Sequence, residues 1–165
     1  MPIEIERKYL VADSSWRAAV DRSCLLRQAY FTTADKVSVR VRIIDEERAA
    51  LTVKLPKSGL SRYEFEQDLS LREAHSLMEL HDGHEIMKLR HEFTHGGHVW
   101  EIDDYKGDNE GLVIAEIELS REDEIFLRPP WLGKEVTGVA RYQNSMLALR
   151  PYQSWPEHIS LQETA

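Results

Sequence analysis

Acidic and basic side chains alternate with apolar ones along IEIERKYL, residues 3–10 of the chain. A β-strand points successive side chains to opposite faces, so Glu4, Glu6 and Lys8 share one face of the predicted strand. Residues two apart on that face lie about 6.6 Å apart. Two carboxylates at this spacing can bind one divalent cation or flank two, since hard cations prefer oxygen ligands. The simpler alternative is a charged face exposed to solvent.

The charged faces of the other predicted strands separate by sign. Bases follow 37–43 and 51–55, whereas acids follow 99–105 and 114–120. Both signs occur on the faces of 3–10, 61–69 and 86–93. Arginine binds phosphate oxygens through two parallel hydrogen bonds and lysine binds them as a point charge, while Mg²⁺ takes carboxylate and phosphate oxygens together. Bases opposite paired carboxylates therefore suit a polyphosphate held with divalent cations.

Strands with period-two alternation must position these side chains. They are predicted at 3–10, 26–32, 37–43, 51–55, 61–69, 86–93, 99–105 and 114–120. Short helices are predicted at about 14–23, 71–81, 121–127 and 141–149. Ser70 with Glu73, and Ser120 with Asp123, are the expected N-terminal caps of the second and third helices. The pattern predicts a single, mainly antiparallel β domain of the α+β class.

Closure of this sheet into a barrel would place the charged faces inside and the apolar faces outside, under the helices. About eight strands leave an interior wide enough for one small ligand. Because unpaired buried charges are costly, such a lumen must hold water, metal and ligand that neutralise one another and the wall. Turns are expected at 45–47, 57–59, 96–97 and 107–109. The tail from Pro151 is expected to be loosely attached.

Composition bounds the class of protein. The chain has 165 residues and a formal net charge of −8, which argues against a generic nucleic-acid-binding domain. Cys24 is its single cysteine, so an intrachain disulfide is impossible and a reducing compartment is expected. The sequence shows no signal-peptide pattern and no apolar run near the roughly 18 residues of a membrane span. We expect a cytoplasmic protein without membrane or nucleic-acid partners.

Motifs through most of the chain resemble those of one family. The segments EIERKYL, LRQAYFTT, VSVRVR, LTVKLPKSGLSRYEFE, MKLR, EIDDYKG, IAEIEL, GKEVT and RYQN are similar, in order, to those of the CYTH domain, also called the triphosphate tunnel metalloenzymes. The resemblance implies a closed eight-stranded antiparallel β-barrel that forms a charged tunnel, with a few short helices packed outside. It also implies metal-dependent chemistry on triphosphates. We expect one such domain over 1–150 and a C-terminal tail over 151–165.

The resemblance assigns roles to individual residues. The metal ligands that it implies are Glu4, Glu6, Asp103, Glu116 and Glu118, with Mg²⁺ as the expected ion and Mn²⁺ as an alternative. The triphosphate-binding bases that it implies are Lys8, Arg40, Arg42, Lys54, Arg62, Lys88 and Arg90. The expected catalytic set is Glu4, Glu6, Lys8, Glu116 and Glu118, around a metal-activated water that attacks a terminal phosphoryl group. Gln143 stands where some relatives carry a base, which leaves the role of the helix at 141–149 open.

Several activities fit the resemblance. The expected reaction is hydrolysis of inorganic triphosphate, a small-molecule substrate, to pyrophosphate and phosphate. The alternatives are a class IV-type adenylate cyclase, a thiamine triphosphatase and a non-catalytic polyphosphate-binding module. The many carboxylates disfavour a pure anion receptor, and the sequence shows no base-specific pocket for a nucleotide.

A second motif is discounted on physical grounds. HEFTH, residues 91–95, matches the zinc-protease pattern HExxH, which needs both histidines on one face of a helix. The flanking alternation predicts a strand, which would separate His91 and His95 by about 13 Å. Both are therefore expected to be surface residues of a hairpin.

Overall fold

The structure, a computed structural model, describes residues 2–32 and 37–157. Its strands are β1 Ile3–Val11, β2 Arg22–Thr32, β3 Ser38–Ile44, β4 Arg48–Pro56, β5 Ser61–Leu69, β6 Ile86–His95, β7 His98–Lys106, β8 Val113–Glu118 and β9 Leu132–Glu135. Its α-helices are α1 Leu71–Met78 and α2 Asn144–Leu149, with 3₁₀ turns at Ser15–Ala19, Gly107–Asn109, Ala140–Tyr142 and Tyr152–Ser154. No helix within these described ranges has the length and apolarity needed to span a membrane.

Eight of the strands close into an antiparallel barrel in the order β5-β4-β3-β2-β6-β7-β8-β1, and β1 pairs back with β5. The predicted fold is therefore confirmed. One edge of β1 pairs with β8, while the other edge pairs with β5 at Ile3 and with β9 at Tyr9 and Val11. Gly133 permits the β9 pairing, because a Cβ at this position would lie 2.7 Å from the carbonyl oxygen of Leu10.

The apolar faces of the barrel wall pack outward, as the alternation predicts. Val41 and Ile43 of β3 lie under α1, where they pack with Ala74 and Met78. A second outer cluster contains apolar residues of β1, β6, β7 and β8. Trp16, Leu119 and Trp131, which lie in the segments that connect the strands, pack in the same cluster. The period-two pattern therefore sorts side chains between lumen and core, since each strand has two opposite faces.

One part of the interior is apolar, which corrects the expectation of a lumen lined by charges throughout. Tyr30, Ile86, Tyr105 and Ile114 occupy lumen-facing positions and pack with Leu147 of α2. Ile86, Tyr105 and Ile114 each lie on the same strand face as a charged residue two positions away, so alternation alone does not separate them from the charged lining. We call these five residues the interior apolar cluster.

Residues 151–157 pack against this region, so the expectation of a loose tail is wrong for them. Trp155 is 7% exposed, and its ring lies 5.3 Å from that of Tyr142 and 4.9 Å from that of Tyr152. Residues 158–165 of the predicted tail lie outside the described residues. The division at residue 150 stays a prediction.

The structure confirms some of the predicted helices and contradicts others. The helix predicted at about 71–81 is confirmed as α1, although it ends at Met78, and Ser70 and Glu73 form the expected capping box. The helix at 121–127 is wrong, because the Ser120 backbone N–H and hydroxyl both donate to the Glu124 carboxylate at 2.7 Å and hold a turn. Local side-chain hydrogen bonds of this kind compete with helix formation.

Two further helix predictions are too long. In 14–23 only Ser15–Ala19 is helical, as a 3₁₀ turn, and Arg22 already begins β2. The segment 141–149 is divided at Gln143, which has extended backbone angles between a 3₁₀ turn and α2. The short β9 was not predicted, since four residues are too few for a clear alternation.

Candidate active site

One cavity of about 280 Å³ occupies the barrel interior, and every barrel strand contributes a side chain to its wall. Ten of the twelve side chains predicted for the site line it: Glu4, Glu6, Lys8, Arg40, Arg42, Lys54, Arg62, Arg90, Glu116 and Glu118. They come from six strands distributed along the chain. Barrel closure is therefore what brings them together.

The acidic wall of the cavity lies on the adjacent strands β1, β8 and β7. Glu6 pairs across strands with Glu118, and Glu116 lies between Lys8 on one side and Glu101 on the other. Glu101 lines the cavity but was not predicted as a site residue. The available signal was its position two residues before Asp103, on the same face of the same strand.

Two lysines neutralise part of the acidic wall. Lys8 Nζ lies 3.1 Å from Glu6 Oε1 and also contacts the Glu116 carboxylate. Lys54 Nζ lies 2.5 Å from Glu4 Oε1 and 2.9 Å from a carboxylate oxygen of the neighbouring strand β5. These ion pairs hold six side chains of β1, β4, β5 and β8 at the cavity surface.

The carboxylates Glu6 and Glu116 respond in opposite ways to this crowding. Burial and the nearby Glu116 carboxylate raise the pKa of Glu6 to about 7. Burial also acts to raise the pKa of Glu116, but Lys8, Lys88 and Arg90 hold that pKa well below its usual range. The nearby bases therefore favour the charged form of Glu116, but they do not outweigh burial and carboxylate repulsion at Glu6.

Lys88 and Asp103 do not line the cavity, which corrects the expectation that both face the lumen ligand. Neither side chain has exposed surface, and Lys88 Nζ contacts the Asp103 carboxylate. Arg90 binds the same carboxylate through Nε and Nη2, each at 2.7 Å, and reaches Glu116 at 2.8 Å. Burial lowers the pKa of Lys88 to about 8 despite the adjacent Asp103. The two residues support Arg90 from beneath the cavity surface.

Arg40 and Arg42 of β3 form the opposite wall of the cavity, and few of the described carboxylates lie close enough to balance their positive charges. Arg42 forms no ion pair within 4.0 Å among the described residues, and its Nε donates to Gln28 Oε1 at 2.7 Å. Arg40 donates to the Thr52 hydroxyl at 3.0 Å, and its one ion pair within the described ranges is with Glu66 at 4.0 Å. Burial and the adjacent Arg40 lower the pKa of Arg42 to about 10. An anion in the cavity would relieve this crowding of positive charge.

The start of α2 completes the cavity wall through Gln143, Asn144 and Ser145. The Tyr105 hydroxyl donates to Asn144 Oδ1 at 2.5 Å, which fixes this segment to the interior apolar cluster. Gln143 thus lies at the cavity, although the base found in some relatives is absent. The segment provides neutral polar groups beside the charged walls.

The carboxylates could hold a hard divalent cation, but they do not form a complete set of ligands. In the part of the chain that the structure describes, no three His, Cys, Asp or Glu side chains already converge on one ion position. Mg²⁺ is commonly held by one or two carboxylates together with substrate phosphates and water. Glu6, Glu116 and Glu118 fit that requirement, because they supply adjacent carboxylate oxygens at the surface of a cavity large enough for an anion.

The HEFTH segment lies on β6, which confirms the predicted strand. His91 Nδ1 lies 2.6 Å from the Ser23 hydroxyl oxygen, and its ring lies 4.9 Å from that of Trp16. The ring of His95 stacks at 5.5 Å on Phe93. His91 is 7% exposed, so the expectation of a surface residue is wrong for this histidine.

A closed antiparallel barrel with arginines facing carboxylates across its lumen defines a class of tunnel-like domains. The CYTH domain model matches residues 2–150, and the chain belongs to the CYTH domain family. An inorganic triphosphatase of Acetivibrio thermocellus is 42% identical over 155 residues, which are 93% of this chain and 98% of the relative. An inorganic triphosphatase of Nitrosomonas europaea is 36% identical over 153 residues, with 88% and 97% covered.

The solved structures agree with this assignment. The crystal structure of the inorganic triphosphatase NE1496 matches this fold with a TM-score of 0.63 and 32% sequence identity. The match covers 88% of this chain and 97% of that structure. The similarity therefore extends over most of the chain.

Proposed function

We propose that this protein is a divalent-metal-dependent triphosphatase that hydrolyses inorganic triphosphate to pyrophosphate and orthophosphate. The observation that carries the proposal is that two walls of opposite charge face one cavity. On one wall, the positive charges of Arg40 and Arg42 are hardly balanced by carboxylates in the described part of the chain, and the other wall is rich in carboxylates. A polyphosphate with bound cations satisfies both walls at once. The two relatives described above, both inorganic triphosphatases, support the same reaction.

Each wall has its own task in this proposal. Arg40, Arg42 and Arg62 bind phosphate oxygens, because guanidinium groups donate two parallel hydrogen bonds to such oxygens. Lys8 and Arg90 are already bound to carboxylates and orient the acidic wall. Closely placed, fixed charges of this kind stabilise a phosphoryl-transfer transition state mainly by position and electrostatics.

The residues proposed to hold the metal are Glu4, Glu6, Glu101, Glu116 and Glu118, with Mg²⁺ as the proposed ion and Mn²⁺ as a substitute. A divalent ion bound there supplies charge neutralisation and a water of lowered pKa. Asp103 is not in this set, because its carboxylate is taken by Lys88 and Arg90. The single cysteine supports a reducing environment, and we place the protein in the cytoplasm.

An assay across substrates tests the proposal. Purified protein is incubated with tripolyphosphate, ATP or thiamine triphosphate, with Mg²⁺, with Mn²⁺ or with EDTA, and all phosphate products are quantified. Tripolyphosphate should give equal amounts of pyrophosphate and orthophosphate, and EDTA should stop the reaction. Cyclic AMP formed from ATP at an equal or faster rate would instead establish a cyclase. Binding of tripolyphosphate without turnover in any metal would establish a binding module.

The kcat/KM for tripolyphosphate should exceed that for ATP by about tenfold or more, equivalent to about 1.4 kcal/mol. A nucleobase gains affinity from aromatic stacking, yet the described lining of the cavity includes one aromatic ring, that of Tyr30, which is 6% exposed. A nucleoside would thus add bulk without matching contacts. Competition between the two substrates in one reaction measures the ratio directly, and a ratio below one would contradict the prediction.

Substitution Arg42→Ala should weaken tripolyphosphate binding by about 1.5–3 kcal/mol, the usual contribution of a charged hydrogen bond. Calorimetry on the metal-free protein measures this loss without turnover. Arg72→Ala provides a matched control, because Arg72 is an exposed residue of α1 outside the cavity. Equal affinities for the Arg42→Ala variant and the wild type would show that Arg42 does not contact the anion.

A further inference from the structure

The bases around the cavity differ in the chemistry of their partners. Lys8, Lys54 and Arg90 contact carboxylates, so their charges are balanced within the protein. The two arginines of β3 instead donate hydrogen bonds to neutral side-chain oxygens, Arg40 to Thr52 and Arg42 to Gln28, and the carboxylate nearest to Arg40 among the described residues, that of Glu66, is 4.0 Å away. Neutral support orients a guanidinium group but does not cancel its charge.

Gln28 is placed for this task by strand register. It lies directly opposite Arg42 in the β2–β3 pairing, on the same face of the sheet. Its side chain is fully buried, and its Oε1 accepts from Arg42 Nε at 2.7 Å. The amide orientation is determined by chemistry, since a guanidinium group only donates hydrogen bonds and the amide oxygen must therefore face it.

The amide nitrogen of Gln28 indicates that this side chain does not give the protein its highest possible folding stability. Gln28 Nε2 is buried and has no hydrogen-bond partner among the described residues. A buried unpaired donor costs free energy, and an apolar side chain of similar length would avoid that cost. An interaction that offsets the cost must lie on the oxygen side, where Arg42 is the partner.

We propose that Gln28 is a positioning residue that holds Arg42 for triphosphate binding while leaving its positive charge uncompensated. This inference rests on the proposed function, because it assumes that the anion at Arg42 is a polyphosphate. A glutamate at this position would have the same length and would reach the same Nε. It would form a buried ion pair with Arg42, as Asp103 does with Arg90, and would neutralise the charge that binds the anion.

The test compares Gln28→Glu with Gln28→Met, two side chains of similar size that differ in charge. We expect the Kd for tripolyphosphate, measured by calorimetry on metal-free protein, to rise at least tenfold in Gln28→Glu and less in Gln28→Met. In turnover assays KM should rise by a similar factor in Gln28→Glu, with a smaller change in kcat. Gln67→Glu is the matched control, because Gln67 is exposed on β5, outside the cavity lining, and the substitution changes the net charge equally.

Measuring the Gln28 substitutions with and without Arg42 distinguishes an effect that acts through Arg42 from a general effect on packing. In an Arg42→Ala background, the neutral substitution Gln28→Met should not change the Kd further, and Gln28→Glu should raise it by a smaller factor than in the wild type, because its carboxylate still repels the anion. The inference is overturned if Gln28→Glu binds within twofold of the wild type, if Gln28→Met is equally damaging, or if the effect of Gln28→Met persists without Arg42. Should Gln28→Glu fail to fold, the Gln28→Met comparison with and without Arg42 still decides the question.

The two proposals can fail separately. Wild-type protein that binds tripolyphosphate but never hydrolyses it would refute the proposed function, while the metal-free affinities would still test Gln28. Conversely, full turnover of tripolyphosphate by Gln28→Glu at wild-type KM would leave the triphosphatase intact and remove the role of Gln28.

Discussion

Glu118→Gln should lower kcat/KM for tripolyphosphate by about a hundredfold or more while the protein stays folded. Even groups that merely orient metal ligands are each worth about 10- to 100-fold, and the proposed ligand set includes Glu118. Glu118 is suited to the experiment because it lines the cavity and is exposed. Its replacement removes a charge without breaking one of the buried ion pairs. Steady-state kinetics over a range of Mg²⁺ concentrations gives the loss and any shift in metal dependence.

The matched control for this substitution is Glu47→Gln, which makes the same change at an exposed position in the turn between β3 and β4. It should leave kcat/KM within about twofold of the wild type, as expected for a surface position that contacts nothing in the site. Wild-type activity with an unchanged metal requirement in Glu118→Gln would remove Glu118 from the proposed metal site.

Asp103→Ala should lower the free energy of unfolding by about 3–5 kcal/mol, the usual loss when one partner of a buried ion pair is removed. Lys88 and Arg90 both bind this carboxylate and would remain as buried charges without it. Urea denaturation measures the change, provided that the slope of the unfolding free energy against denaturant is unchanged.

Asp104→Ala is a stringent control because Asp104 is the next residue on the opposite face of β7. Its carboxylate pairs with Arg17 and Lys106, whose side chains are 53% and 39% exposed. Exposed partners can return to water, so the loss should be about 1 kcal/mol or less. Equal losses for the two substitutions would show that the buried position of Asp103 has no special effect.

Most of the barrel could be predicted from the sequence because strand alternation reports directly on the two faces of a sheet. Glu4, Glu6 and Lys8 were assigned to one face, and all three line the cavity. The closed order of strands could not be obtained from alternation, since pairing depends on contacts between distant segments. It followed instead from the resemblance of the motifs to one family.

The alternation of side chains does not predict how far along the barrel axis each residue lies. Lys88 and Arg90 have the same parity on β6, yet Arg90 reaches the cavity surface and Lys88 does not. The same is true of Glu101 and Asp103 on β7. A period of two identifies the face but not the height along the barrel axis, which depends on strand tilt and stagger.

The pairing of β1 with three other strands has a consequence for how the protein acquires its activity during synthesis. Lys8 contacts Glu116, 108 residues later, and Arg7 binds Glu135, 128 residues later. Because β1 precedes these partners by more than one hundred residues, its pairing must wait for their synthesis, and such non-local closure is slow compared with hairpin formation. Until then its backbone hydrogen-bonding groups are open to incorrect pairing. Because β1 also contributes Glu4, Glu6 and Lys8 to the cavity lining, its pairing with β5 and β8 both closes the barrel and completes the site.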